Sequence, residues 1–218
     1  MTHKGRSCLK AGLLGALIGL GIAYSLMHFL PYAQEWRVRR FFHVPLPAPQ
    51  AHSLGDPQAP VCIYYYYSLT CRYCHVFQEK ILPQLLQRYV KTGQLRLVFC
   101  EFPDDEISLQ GFTLLQGLPR SAYFRLLGEI LRQQDLFRIS PDPLWQIFEQ
   151  EGLARTQQQT LLANKKLSKA LLFRRFDAED RWNLSAVPSF VLNGQVYEGA
   201  FPWEACEKAF QACTRSSP

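Results

Sequence analysis

The sequence predicts an α/β fold interrupted by a block of helices, and three observations carry that reading. Val61 to Tyr67 (VCIYYYY) is a run of β-branched and aromatic residues, too apolar on both faces for an exposed strand, so it reads as a buried central one. Far downstream, Asn193-Gly194 separates two short strand-like runs as a tight hairpin turn. Between them, residues 104–182 show helical periodicity and no strand-like alternation. A chain of 218 residues, 48% hydrophobic, has room for one sizeable domain and an extra segment.

The extra segment comes first. Lys4, Arg6 and Lys10 precede residues 11–30, which contain no Lys, Arg, Asp or Glu and only His28 as an imidazole. About twenty such residues are enough to span a bilayer and exceed a usual signal-peptide core. Residues 1–32 are therefore read as a signal-anchor. The alternative is a signal peptide cleaved after Ser25, at Ala23-Tyr24-Ser25; apolar character continuing through Phe29 and Leu30 favours retention. Arg37, Arg39 and Arg40 weaken the charge asymmetry across the segment. Both readings export the domain that follows. Residues 33–56, with Pro45, Pro47 and Pro49 at alternate positions, read as an extended linker.

Residues 57–103 form the first part of the domain. After the aromatic strand and Ser68-Leu69-Thr70 comes Cys71-Arg72-Tyr73-Cys74, opening an amphipathic helix. Cys74, Phe77, Ile81 and Leu85 share one helical face until Gly93 stops it. Thr70 is the predicted N-cap, which puts Cys71 in the first turn, where unpaired N–H groups and the helix dipole favour a thiolate. A thiolate is the form that attacks or leaves a disulfide, so the pair reads as a redox dithiol, Cys71 exposed at the helix tip and Cys74 pointing inward. With His75 the motif also matches a c-type haem attachment site. That reading lacks a methionine partner beyond Met1 and Met27, and His43 or His52 would have to substitute. Zinc would need a second closely spaced ligand pair, which Cys206 and Cys213 do not form.

Residues 104–183 read as helical. Tyr123, Leu126, Leu127, Ile130 and Leu131 line one face after Pro119. Asp142-Pro143 reads as an N-cap and first helical residue ahead of Leu144, Ile147 and Phe148, closed by Gly152. Thr156 caps a further helix carrying Leu167 and Leu171 inward and Lys165, Lys166, Lys169, Arg174 and Arg175 mostly outward, as a solvated face.

Residues 184–218 complete the domain. Pro188 cannot donate to a ladder and belongs at the start of its strand; alone it reads as an ordinary trans proline on an edge strand. Cys206 and Phe210 share a face of the last helix with Cys213, as small or large hydrophobes. The rise between Cys206 and Cys213 forbids a bond between them, whereas a Cys62–Cys206 pairing stays open. Cys62 and Cys100 sit in apolar strands, and Cys8 precedes the apolar segment. The net charge of +6 is spread along the chain and gives no nucleic-acid signal. No Gly-rich phosphate loop, His cluster or internal repeat is present.

These features together resemble a known family. The stretch from Tyr67 through Cys71, Cys74 and Phe77, then Ile81-Leu82-Pro83, Tyr89-Val90-Lys91-Thr92-Gly93 and Val98-Phe99-Cys100-Glu101-Phe102-Pro103, resembles the bacterial DsbA-like thiol:disulfide oxidoreductases. With Val187-Pro188 and the closing helix, the likeness runs from about Ser53 to Cys213. It implies a thioredoxin fold with an inserted helical domain, preceded here by an N-terminal transmembrane anchor or signal segment. It implies Cys71 and Cys74 as catalytic residues, and Val187 with a cis Pro188 as the substrate-binding edge. The redox-active disulfide replaces any bound cofactor, and no metal is expected. Substrates would be thiol-containing exported proteins, with reoxidation by a DsbB-type quinone reductase in the membrane. The domain would face the periplasm from an inner-membrane anchor, or lie free there after cleavage. The chain departs from the best-known members in having Arg72-Tyr73 where they have Pro-His, which makes these two the thiolate-tuning candidates. Tyr65 stands near a position where they carry an acid. Oxidase is the favoured direction. Reductase or isomerase uses the same residues, and a redox-inert chaperone or a c-type cytochrome are the remaining alternatives.

Overall fold

The structure is a computed structural model that describes residues 52–137 and 140–215. The described residues all belong to one compact unit, which begins at Gln50. The expected anchor, Cys8, most of the linker and the Cys213 side chain lie outside the described residues. Among the described residues no helix is long and apolar enough to cross a membrane.

Five strands form one sheet in the order β1-β3-β2-β4-β5: β1 (His52–Leu54), β2 (Val61–Tyr67), β3 (Leu95–Glu101), β4 (Ser189–Leu192) and β5 (Gln195–Glu198). Strands β2 and β3 run parallel, and the other pairs are antiparallel. The aromatic run is central, as its composition demands: Ile63, Tyr65 and Tyr67 are fully buried. Strand β1 lies within the stretch read as linker; its backbone pairs with β3 from His52↔Phe99 to Leu54↔Leu97. Three residues of mixed character carry too little periodicity to announce a strand. Asn193 and Gly194 both take positive φ, 52° and 77°, as the hairpin turn between β4 and β5 requires. That hairpin makes β5 the edge and β4 internal, so Pro188 does not begin an edge strand.

Residues 72–90 are one continuous helical segment with two wide turns. Helix α1 (Arg72–Val76) passes into a π-type turn at Phe77–Ile81, α2 (Leu82–Leu85) and a second such turn at Leu86–Val90. The Leu82 N–H reaches back five residues to the Phe77 carbonyl. Widening there accommodates Pro83, which has no N–H and whose ring crowds the preceding turn. The buried face therefore runs Cys74, Phe77, Leu82, Leu85, and Ile81, expected on that face, is only half-buried. The segment ends at Gly93 with the paired bonds of a Schellman cap, Gln94 N–H to Tyr89 O (2.9 Å) and Gly93 N–H to Val90 O (3.1 Å).

Between β3 and β4 the described residues form six α-helices, α3 (Glu106–Leu115), α4 (Tyr123–Arg132), α5 (Gln134–Phe137), α6 (Asp142–Gln150), α7 (Arg155–Ala163) and α8 (Lys165–Trp182), with a short 3-10 turn at Arg120–Ala122 ahead of α4. The predicted apolar stripes of α4 and α6 are buried in full. In α6 Asp142 is the first helical residue rather than the cap, with its N–H donating to Ser140 Oγ at 3.3 Å. The single helix expected from Thr156 onward is two. Asn164 breaks it and caps α8, its side-chain oxygen accepting from Lys166 and Leu167 N–H. Arg174 and Arg175 are not outward: the first bonds Glu101 and the second bonds Glu179 and the Pro103 carbonyl. Helix α9 (Trp203–Arg215) closes the domain, with Cys206 and Phe210 buried and the Phe210 ring stacked on Tyr89 at 4.0 Å.

Candidate functional site

The site grows from the C-terminal end of β2. Tyr65 is fully buried, its ring packed on Phe77, Phe190 and Phe99 at centroid distances of 4.3, 5.2 and 5.5 Å. Each such aromatic pair adds about 0.5–1.5 kcal/mol beyond area burial, so the strand end is rigidly set. The Tyr65 hydroxyl donates to the Cys74 carbonyl at 3.5 Å. Beyond the strand, the Ser68 hydroxyl donates to the Asp104 carboxylate and is hydrogen-bonded to the Ser108 hydroxyl (2.9 Å), while Thr70 Oγ1 donates to Asp104 at 3.2 Å. The Leu69 N–H donates to Ser108 Oγ at 3.1 Å. Helix α3 can press on this turn because Gly111 lacks a Cβ, which would stand 2.5 Å from Leu69 Cδ1. Thr70, spent on this network, is not the helix cap. Cys71 is.

Cys71 has extended backbone (φ −80°, ψ 114°), and its sulfur accepts the Cys74 N–H at 3.3 Å. The sulfur thus takes the place of a capping oxygen, facing the free N–H end of the helix. Its thiol also donates to the Val187 carbonyl at 3.4 Å. The Cys71 pKa lies below that of an ordinary cysteine. The hydrogen bond from the Cys74 side chain is the main cause, joined by the N–H groups of Cys74 and Tyr73; burial and the Asp104 carboxylate oppose it. Cys74 is fully buried, and that burial, reinforced by the Cys71 sulfur, pushes its pKa well up. Of the two thiols, Cys71 is therefore the one that gives up its proton first, while Cys74 holds its own.

Val187 and Pro188 come from the loop before β4, and the bond between them is cis. The structure therefore brings Cys71, Cys74, Val187 and Pro188 together. The Arg72 and Tyr73 side chains are exposed, Tyr73 by 71%, and Tyr73 acts on Cys71 through its backbone N–H. His75 pairs with Glu79 one turn on, Nε2 to Oε1 at 3.0 Å. All five described cysteines are free thiols, so Cys62 and Cys206 are not bonded to one another. Among the described residues no cluster of His, Cys, Asp or Glu could hold a metal ion. Sequence reasoning missed the Ser68-Thr70-Asp104-Ser108 network and Glu198, whose carboxylate holds the Ser185–Ala186 backbone. Asp105 caps α3, its carboxylate accepting the Ser108 N–H at 2.7 Å. Nothing in the sequence tied Asp104 to a turn formed much earlier in the chain.

Comparison with known proteins agrees with this geometry. A family model described as thioredoxin matches residues 48–212. A protein of Rickettsia bellii named "Putative protein-disulfide oxidoreductase" is 26% identical over 145 residues, which is 65% of this chain and 56% of that protein. A Rickettsia conorii relative with the same description is 26% identical and is covered to 52%. The chain thus spans about half the length of the curated relatives it matches. Among solved structures, Wolbachia pipientis alpha-DsbA1 superposes with a TM-score of 0.69 at 22% identity, covering 78% of this chain and 96% of that one. A protein-disulfide isomerase from Novosphingobium aromaticivorans gives 0.63 at 22%, covering 75% and 96%. The chain belongs to the thioredoxin family, in the DsbA-like form of the fold that carries helices between its parallel strand pair and its hairpin.

Proposed function

We propose that this protein is a thiol:disulfide oxidoreductase that introduces disulfides into exported proteins through Cys71 and Cys74. The observation that carries the reading is the asymmetry of the pair, one sulfur capping a helix beside an open backbone edge and the other buried beneath it. In the oxidised form a substrate thiolate attacks Cys71 Sγ; the Cys71–Cys74 bond breaks and Cys74 leaves with the electron pair. A mixed disulfide now joins substrate to Cys71, and Cys74 takes up a proton, which its high pKa favours. A second substrate thiolate attacks the substrate sulfur of the mixed disulfide and expels Cys71 as a thiolate. The substrate loses two electrons and the enzyme gains them. Expulsion is eased because Cys71 is the lower-pKa sulfur, and a stable leaving thiolate makes the disulfide form more oxidising.

The oxidising direction requires an electron acceptor, for which a DsbB-type quinone reductase in the membrane is the proposed partner. An inner-membrane anchor formed by residues 1–32, with the domain in the periplasm, would keep the two within reach; a cleaved, soluble periplasmic form is the alternative. The test is the reduction potential of the Cys71/Cys74 pair against glutathione. A potential well above −200 mV, toward the about −120 mV of strongly oxidising dithiols, supports the oxidase. A value near the about −270 mV of reducing dithiols would turn the assignment to a reductase.

A further inference from the structure

The loop that carries Val187 is held by a carboxylate that touches neither sulfur. Glu198, the last residue of β5, accepts the Ser185 N–H at 2.7 Å and the Ala186 N–H at 3.3 Å on Oε1. The Ser185 hydroxyl bonds both carboxylate oxygens, at 3.1 and 3.0 Å. On the other side of the loop, Ser189 Oγ donates to the Ala186 carbonyl at 2.7 Å, and the Gly199 N–H donates to the Pro188 carbonyl at 2.7 Å. The backbone polar groups on either side of Val187 are thus taken in succession. Val187 itself keeps a carbonyl that meets only the Cys71 thiol and an N–H with no partner among the described residues. One residue offering both a free N–H and a carbonyl is the unit from which antiparallel pairing with an extended peptide starts.

We propose that Glu198 is a positioning residue: by pinning Ser185 and Ala186 it fixes the Val187 peptide group as the edge on which an extended cysteine-containing peptide pairs beside Cys71. The inference rests on the oxidoreductase reading and adds to it the element that sets peptide recognition. Bonds from N–H groups to a charged carboxylate are stronger than neutral ones, and two of them on adjacent residues hold a short loop in one conformation. Their formation also holds the Glu198 carboxyl below the usual carboxylate range, so the clamp is ionised at neutral pH.

The experiment compares the full chain with E198A and E198Q, each in the oxidised form, on two thiol substrates. One is a synthetic peptide carrying two cysteines, long enough to pair with the edge; the other is glutathione, too short to do so. E198A is expected to raise KM for the peptide about five- to tenfold, the loss of one charge-assisted clamp, with kcat within about twofold. The glutathione reaction and the reduction potential of the dithiol should stay at the wild-type value. E198Q retains one acceptor oxygen and should fall between the two. Equal losses on peptide and glutathione, or an unchanged peptide KM in a folded variant, would overturn the proposal. Should E198A not fold, the E198Q comparison with its glutathione control decides it by the same criterion. A wild-type chain that exchanges with neither substrate would instead remove the oxidoreductase reading on which the inference stands.

Discussion

Two carboxylates leave β3 within a few residues of each other, and the fold puts them to opposite uses. Glu101 is buried, its side chain 4% exposed, bonded to Arg174 at 2.7 Å, Gln116 at 2.9 Å and the Tyr123 hydroxyl at 3.4 Å. It ties β3 to helices α3, α4 and α8 and joins the helical insertion to the sheet. Burial outweighs these partners and raises its pKa to about 6. Asp104 is exposed, receives the Ser68 and Thr70 hydroxyls, and lends its charge to the surroundings of Cys71. A carboxylate sealed among partners governs stability, whereas one left in contact with water governs the turn beneath a sulfur.

The largest effect should come from breaking the buried pair. Arg174→Met leaves Glu101 without its cation and should cost about 3–5 kcal/mol of stability at pH 8, read by denaturant unfolding. The Cys71 alkylation profile should not move. A shifted profile would mean that the two carboxylates are not separate devices.

Next in size is the pH dependence of Glu101. Its folded pKa is raised, so between about 4.5 and about 6 the unfolded chain has released a proton that the folded one still holds, and stability falls as pH rises. Over that window the loss should reach about 2 kcal/mol, and Glu101→Gln should abolish it. His52, whose pKa burial together with Arg120 and Arg174 lowers to about 4, contributes the opposite slope. Stability therefore has to be compared between wild type and variant at each pH, and identical profiles would refute the assignment.

Asp104→Asn removes a charge that opposes the Cys71 thiolate. The Cys71 pKa should fall further, by less than about one unit, and iodoacetamide should react faster near pH 6. Stability should change by less than about 1 kcal/mol, because an amide oxygen still accepts the Ser68 and Thr70 hydroxyls. A rise in the Cys71 pKa would show that the network, not the charge, sets the sulfur. The smallest effect belongs to Arg72→Ala, with a shift in reduction potential below about 10 mV, since an exposed charge is worth only a fraction of a kcal/mol. A shift above about 30 mV would bring the arginine into the site.

The same contrast explains what the sequence disclosed. The dithiol, the central strand, the hairpin and the stripes of α4 and α6 are local patterns, written in consecutive residues, and all were legible. Cys71 as cap was not, because whether Thr70 or Cys71 caps the helix depends on Asp104, which draws the threonine away from beyond the end of the neighbouring strand. Arg174 and Arg175 read as solvated charges for a similar reason: their acceptors, Glu101 and the Pro103 carbonyl, stand on another element. Long-range polar partnerships leave no periodicity behind.

The wide turn at Phe77–Ile81 bears on how the family's sequences should be compared. Its buried face steps by five residues from Phe77 to Leu82, where a regular helix steps by three or four. One residue has in effect been accommodated inside a helix without disturbing the dithiol at one end or the Gly93 cap at the other. A relative that lacks a residue here would keep Cys74, Phe77, Leu82 and Leu85 facing the core simply by reverting to regular winding. Alignment gaps within this helix are then expected at Phe77–Ile81, and a gap placed there would mark a change of winding rather than a break in homology.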